Sequence, residues 1–366
     1  MKIVVTGGTG FVGCHSVNAL ADAGHELRLL VRSETRIAPA LAPLGVDVSD
    51  VVVGDITDPV VIRRALSGCD AVLHAANVFS FDPRDARQLR RTNVGGTEQV
   101  LHTAHELALD PIVHVSSVAA LLPAAGPLGP DSPIGRPRGP YAQSKAEAER
   151  VARGLQDEGA PVVITHPGAV MGPHDPHLGE NAVLLRNILR GNAPVAPRGR
   201  MPIVDVRDVA AVHTAVMTPG LGPRRYLAIG EVVTFDQVLA VLRAVTGRRL
   251  PAASLPTPLL LGVARVAELA QQVMPFRLPV GFQAPWLVAN SPPADATPTA
   301  RDLGLSLRPA ADAIADTVRW LHAASHIDDH QAGSLLVAQN TATNEPATAA
   351  RPPVADRRRA PTSNLT

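Results

Sequence analysis

The chain has 366 residues, 46% of them hydrophobic and 18% charged, enough apolar material for a sizeable core, which excludes wholesale disorder. Lys and Arg number 34 against 33 Asp and Glu, a formal net charge of +1, so the basic profile of a general nucleic-acid binder is absent and no nucleic-acid partner is expected. Two cysteines, Cys14 and Cys69, exclude a disulfide framework, and no Cys/His cluster has structural-zinc spacing, so no metal is expected.

In chain order, Met1 to Val5 form an apolar strand-like run that leads at once into a glycine loop, with no room for a leader peptide. Short β-branched runs then alternate with amphipathic ones: Ile3 to Thr6, Val12 to Ala23, Glu26 to Val31, Val51 to Val53, Val60 to Leu66 and Ala71 to His74. A helix from about Gln88 to Leu107, a strand Ile112 to Val115, a helix from Tyr141 to about Asp157 and a strand Val162 to Thr165 continue the pattern. Repeated βαβ units predict an α/β fold, a Rossmann-type doubly wound parallel sheet, over residues 1–168. The Pro- and Gly-rich stretch Leu122 to Pro140 is too long for a simple connection and reads either as a loop facing substrate or as a surface excursion. Residues 169–201 and 218–326 read as a smaller C-terminal substrate-binding lobe, with 202–217 returning to the first domain as a strand and a helix capped by Asp208. Leu259 to Ala270 is apolar but interrupted by Arg265 and Glu268 before it could span a membrane, and its apolar face is expected in the core. The helix carrying Ile314, Val318 and Leu321 closes the globule, and residues 327–366 are expected to be a disordered tail. A soluble protein of the cytoplasm, without an integral membrane segment, is the expectation.

Thr6-Gly7-Gly8-Thr9-Gly10-Phe11-Val12-Gly13 joins the first strand to the first helix and places glycines at 7, 10 and 13. Glycine allows a tight turn and close backbone approach, while free N–H groups and the helix dipole favour a phosphate, so the loop is read as a dinucleotide cradle. At the end of the second strand, where a carboxylate would bind the adenosine ribose of NAD, the chain reads Val31-Arg32-Ser33. The Arg32 guanidinium suits a 2'-phosphate, so NADP is expected, with NAD as the alternative. Asp55, after the third strand, is placed to accept a hydrogen bond from the adenine.

Only two tyrosines and two lysines occur in the chain, yet Tyr141 and Lys145 stand four apart at the start of a predicted helix. That spacing puts both on one face, where an ammonium is expected to lower the phenol pKa and make a proton-transfer group of it. The strand Ile112 to Val115 ends in Ser116-Ser117, with a hydroxyl at the C-terminal sheet edge.

With these motifs assembled, together with His74-Ala75-Ala76, Asn93-Val94-Gly95-Gly96-Thr97, Pro167-Gly168 and Asp205 to Ala210, residues 1–325 or so resemble the extended short-chain dehydrogenases/reductases, in particular their dihydroflavonol reductase and 3β-hydroxysteroid dehydrogenase-like branch. The resemblance implies that Tyr141 exchanges a proton with the substrate oxygen, that Lys145 holds the nicotinamide ribose and tunes Tyr141, and that Ser117, with Ser116 as the alternative, orients the carbonyl. It further implies a nucleotide site built from Gly7, Thr9, Gly10, Phe11, Val12, Gly13, Arg32, Asp55, Ile56, Ala75, Ala76, Tyr141, Lys145, Pro167 and Val170, and gives Asn93 a bracing role. Two positions depart from the family pattern: His166 stands where an arginine is usual and Asp205 where a histidine is usual. The expected activity is NADP-dependent interconversion of a carbonyl and a secondary alcohol on a mostly apolar small molecule, with a homodimer allowed for. The alternatives are a nucleotide-sugar epimerase that retains NAD and a non-catalytic NADP-sensing regulator.

Overall fold

The computed structural model describes residues 1–192, 195–196, 198–251, 253–254, 256–271 and 282–335. The first half alternates strand and helix: β1 (Lys2–Thr6), α1 (Phe11–Asp22), β2 (Glu26–Val31), α2 (Ile37–Leu41), β3 (Asp50–Val53), α3 (Pro59–Leu66), β4 (Ala71–His74), α4 (Ala86–Leu89), α5 (Gly96–Glu106), β5 (Ile112–Val115), α6 (Pro140–Asp157) and β6 (Val162–Pro167). The helix expected from Gln88 to Leu107 is broken at its start by a π-helical segment, Arg90–Gly95, which brings the buried side chain of Asn93 to face the neighbouring loop and α6. The second half runs β7 (Ala169–Met171), α7 (Glu180–Leu189), β8 (Val195–Ala196), β9 (Arg200–Asp205), α8 (Val206–Ala215), β10 (Arg224–Ala228), β11 (Glu231–Thr234), α9 (Phe235–Thr246), β12 (Ala253–Ser254), α10 (Thr257–Gln271), α11 (Gln283–Ala289), α12 (Thr297–Leu303), α13 (Ala310–Ala323) and α14 (Asp329–Ala332).

Seven strands form one parallel sheet in the order β10-β6-β5-β4-β1-β2-β3. Ile3, Val4 and Val5 are fully buried, as a central strand covered on both faces requires. The strand order turns between β1 and β4, so their C-terminal ends flank the crevice where such sheets bind ligands. The fold is thus the Rossmann-type α/β architecture expected.

Two boundaries differ from the sequence reading. Arg224–Ala228, placed in the lobe by sequence, is the parallel edge strand of the large sheet beside β6. Conversely, β9 does not return to that sheet; it lies between β7 and β11 in a separate three-stranded sheet, and only α8 comes back, packing on α1. The cause sits at Gly168, where a Cβ would meet the Pro202 carbonyl oxygen at 2.0 Å: the backbones touch there, and β7 departs from the line of β6 to pair with β9. The cap of α8 is Asp205, which accepts from Arg207 N at 2.8 Å and pairs with the Arg207 guanidinium; Asp208 instead sits in the first turn and holds Arg308.

The lobe's core gathers α7, α9 and α13 on the small sheet through Leu185, Leu189, Leu239, Ile314 and Leu321. A capping box, Thr234 with Gln237, starts α9. Residues 327–335, expected to begin a disordered tail, are built into this core: Ile327, Ala332 and Leu335 are buried, and Ser334 N donates to Thr246 O at 2.9 Å. Apolar side chains at three positions dock a segment that composition alone reads as tail. The rest of that expected tail, 336–366, lies outside the described residues. On α10 the apolar face is split rather than buried whole, with Leu260 and Ala264 inside and Leu259, Val263 and Val266 exposed.

Candidate active site

The glycine loop is packed too tightly for side chains. Gly7 has φ +76°, and a Cβ on it would lie 2.6 Å from Ala76 N; a Cβ on Gly13 would lie 2.0 Å from Gly7 O. Gly10 N donates to Gly7 O at 2.9 Å and itself caps α1, with no side-chain cap and no acidic residue in the first turn. Thr9, Phe11 and Val12 are half-buried at that turn. Unpaired N–H groups at the positive end of a twelve-residue helix make a receptor for a diphosphate, so the residues present fit a dinucleotide. Ala75 N and Ala76 N bond Thr6 O and Oγ1, holding the end of β4 against Gly7.

Arg32 is exposed just after β2, and Asp55 is exposed just after β3. Partial burial works against the Asp55 carboxylate, but two bonds from Thr57 and the charges of Arg32 and Arg91 outweigh it and hold its pKa below the usual range. Both bonds from Thr57 go to Oδ1, which leaves Oδ2 for a ligand. Ile56 is buried beneath Gly96, where a Cβ would come within 2.5 Å of it. Pro167 is buried at the end of β6, and Val170 is half-buried on β7.

Tyr141 and Lys145 lie in the first turns of α6, which starts with Pro140 at its first position, and both are buried. Ser117 caps a 3₁₀ turn, Val118–Leu121, accepting from Ala119 N at 3.2 Å, and its hydroxyl is near enough to the Tyr141 phenol to favour the phenolate. Ser117 rather than Ser116 therefore meets the phenol; Ser116 is buried beside Glu149.

One expectation is corrected here. The phenol is not tuned downward by Lys145: burial pushes its pKa well above the ordinary value, and the neighbouring Ser117 hydroxyl only partly offsets this. Burial acts on Lys145 in the opposite sense, lowering it to about 8, with Glu149 resisting. Both groups sit in the same dry pocket, where the charged form of each is disfavoured, and the Lys145 ammonium donates to the Val115 carbonyl at 3.1 Å.

Behind Lys145 lies a pairing that no sequence pattern announced. Glu149, one turn further on, is fully buried; its Oε1 lies 2.8 Å from His166 Nε2 and 2.7 Å from an Arg153 nitrogen. His166, which stands where the resemblance leads one to expect an arginine, thus engages a buried carboxylate. Burial would raise the Glu149 pKa, but His166, Ser116 and Arg153 together hold it well below the usual range. Asn93 bonds both ends of the Val78 backbone, at 2.7 and 2.9 Å, and donates to Ser144 Oγ, which in turn donates to Tyr141 O at 2.7 Å. Its bracing role is therefore a clamp between α6 and the loop after β4.

Two further groups reach Tyr141. Phe79 and Phe81 meet its ring edge to face, at centroid distances of 4.5 and 6.0 Å, and Gln283 of α11 accepts from Tyr141 N at 3.3 Å. Alternating Phe in a chain with six was the one available signal for the first pair; nothing local marks Gln283. The Leu122–Pro140 loop is pinned by Arg153, which donates to Ser132 O, and contributes Pro123, Arg136 and Arg138 to a cleft of about 540 Å³ with Leu261, Phe282 and Trp286. Leu287 of α11 packs both on the cluster of Phe282 and Trp286 and on that of Tyr141.

Among the described residues no helix is long and apolar enough to cross a membrane, and no group of His, Cys, Asp and Glu is arranged to hold a metal ion.

Residues 3–228 match the family model described as the NAD dependent epimerase/dehydratase family. The chain is 32% identical over 324 residues to a putative dihydroflavonol 4-reductase of Synechocystis sp., covering 86% of this chain and 93% of that protein. It is 31% identical to sterol demethylase protein B of Methylococcus capsulatus, covering 87% and 98%. The crystal structure of gox2253 superposes with a TM-score of 0.73 at 27% identity, covering 89% of this chain and 99% of that one. UDP-glucose 4-epimerase from Bifidobacterium longum shares the fold, with a TM-score of 0.68 at 19% identity over 88% and 98% of the two chains. The chain belongs to the NAD-dependent epimerase/dehydratase family and is an NAD(P)-dependent oxidoreductase of the extended short-chain dehydrogenase/reductase type.

Proposed function

We propose that the protein is an NADP-dependent oxidoreductase that interconverts a carbonyl and a secondary alcohol on a mostly apolar small molecule, through Ser117, Tyr141 and Lys145. The observation that carries this reading is the buried phenol of Tyr141 with buried Lys145 one turn along the same helix, and the Ser117 hydroxyl near enough to act on that phenol. The loop from Gly7 to Gly13 with Ala75 and Ala76 would hold the dinucleotide, Asp55 its adenosine end and Lys145 its nicotinamide ribose. When bound, the nicotinamide supplies or accepts the hydride. Ser117 orients the substrate oxygen by a hydrogen bond, and Tyr141 transfers its Oη proton to that oxygen. A phenol kept neutral by burial holds that proton at neutral pH, which suits the direction of reduction.

The deciding experiment is Tyr141→Phe, which keeps the ring and removes the transferable proton. Turnover is expected to fall at least about 10²-fold while dinucleotide affinity stays near wild type. Turnover close to wild type would refute the assignment.

NADP rather than NAD is supported by the exposed Arg32 and the absence of a carboxylate at Val31. Calorimetric titration is expected to give tighter binding of NADP, and Arg32→Asp to shift the preference toward NAD by about 1–3 kcal/mol. Equal affinities in the wild-type protein would remove the argument.

A further inference from the structure

We infer that the cleft between the Leu122–Pro140 loop and helices α10 and α11 takes the far end of the substrate, a carboxylate carried on an apolar body, with Arg136 and Arg138 holding the charge; this deepens the oxidoreductase reading above and rests on it.

Neither guanidinium is engaged elsewhere. Arg136 and Arg138 both line the cleft, and among the described residues neither forms a hydrogen bond or an ion pair. Neighbouring arginines are committed: Arg153 holds Glu149 and the Ser132 carbonyl, and Arg225 pairs with Asp131. Two like charges on one cleft repel each other, and an anion seated between them relieves that repulsion. The planar guanidinium fork matches the two oxygens of a carboxylate.

The backbone that carries them is fixed. Gly135 N donates to Ala120 O at 2.9 Å, and a Cβ on Gly135 would lie 2.0 Å from Leu122 O. Gly139 has φ +92°, and a Cβ on it would lie 2.4 Å from Gln283 Oε1. Between these two close approaches Pro137 is buried, with its own φ locked by its ring, and the arginines on either side of it are exposed. A carboxylate that binds there does not bear the cost of ordering the loop.

Beyond the guanidiniums the cleft is mainly apolar and runs toward the reaction centre. Phe282 and Trp286, 7% and 5% exposed, line it one turn apart at α11, with Leu261 of α10 opposite in sequence order, and its volume of about 540 Å³ suits a small molecule. Arg138 precedes Tyr141 by three residues, so their Cα atoms are at most about 11 Å apart. Leu287 packs on the clusters of both Trp286 and Tyr141. One elongated molecule can therefore present a carbonyl to Tyr141 and a carboxylate, several bonds away, to the arginines.

The test compares unbranched keto acids of graded length, ketone near one end and carboxylate at the other, with their methyl esters, by NADPH oxidation and by calorimetric titration into the protein saturated with NADP+. The wild-type protein is expected to bind the longer acids about tenfold more tightly than their esters, the scale of two exposed ion pairs, with the difference shrinking at high salt. Arg136→Gln and Arg138→Gln are each expected to remove about threefold of that preference through KM with kcat kept, and the double variant to bind acid and ester alike. Arg138→Lys, which keeps the charge, should retain part of the preference. Arg150→Gln, exposed on α6 and outside the cleft, should leave it unchanged, which separates local pairing from net charge. Equal binding of acid and ester by the wild-type protein, binding of neither, or an acid preference that survives the double variant would overturn the proposal. The oxidoreductase reading fails separately: salt-sensitive binding of the acids, lost in the double variant but without hydride transfer to any of them, would refute that reading and leave the carboxylate site standing.

Discussion

Glu149 is the side chain on which the electrostatics of the site turn. Lys145 is 3% exposed, and burial alone would drive its ammonium to lose a proton near neutral pH; the Glu149 carboxylate on the same helical face holds its pKa at about 8. Glu149→Gln preserves shape and removes that charge, so the Lys145 ionisation should move downward by on the order of one pH unit or more. If the ammonium holds the nicotinamide ribose as proposed, affinity for the dinucleotide in the wild-type protein falls as pH rises through about 8. In Glu149→Gln the same fall should begin at lower pH, with affinity at the acid end unchanged. Binding curves measured across pH with the two proteins check this, and coincident midpoints would show that Glu149 serves packing alone. His166→Arg, which restores the residue usual at that position, should keep the wild-type midpoint because the carboxylate stays ionised.

At the scale of elements, α14 is the plainest case of a segment that tertiary contact recruits. Its own propensity is low and it is one turn long, but Asp328 and Gln331 form a capping box and Leu335 and Ala332 enter the lobe core. Leu335→Ala should therefore cost about 2–4 kcal/mol in denaturant unfolding, and a chain ended after residue 326 should be less stable than one ended after residue 335. Equal midpoints for the two truncations would mean that the segment does not dock in solution. The same contrast separates what the sequence made legible from what it did not. The glycine loop, the Tyr141 and Lys145 pair and the strands β1 to β6 are written in neighbouring residues, because loop sterics and helix or strand periodicity act over one or two turns. The lobe boundaries were not, since Pro202 to Asp205 reads equally well as a strand of either sheet and the close approach at Gly168 decides. Nor were the contacts Gln283 to Tyr141 and Glu149 to His166, which join residues distant in sequence through the packing of whole elements. The direction of the phenol shift was misread for a related reason: helix spacing reveals that a cation is near, but not that burial outweighs it.

Across the whole molecule, buried neutral histidines tie the layers together. His213 on α8 lies 2.8 Å from Ser16 Oγ of α1 and 3.1 Å from Thr165 Oγ1 of β6. Ser16 directs its own proton to the Val12 carbonyl, so the ring carries its hydrogen on Nδ1 and accepts from Thr165 on Nε2. His74 follows the same logic between Thr6 and Thr97, with Thr97 donating to Asn93 O, and stacks on His114 at 5.7 Å. The rings of His74 and His213 are satisfied only while neutral, and burial lowers both to about 3 and His114 well below its usual value. In the unfolded chain these rings take up protons near pH 6.5, so between that value and about 3 the unfolded state binds more protons and stability falls with pH. At pH 5 each such ring should cost about 2 kcal/mol relative to pH 7. His213→Gln offers an amide donor and acceptor in place of the ring and has no proton to gain; it should be less stable than wild type at pH 7 yet lose about 2 kcal/mol less on going to pH 5. Unfolding midpoints of both proteins at the two pH values give the comparison directly, with the carboxylates common to both cancelling. Parallel losses would mean that His213 is not held neutral, and that the seam between α1, α8 and β6 survives protonation of the ring at its centre.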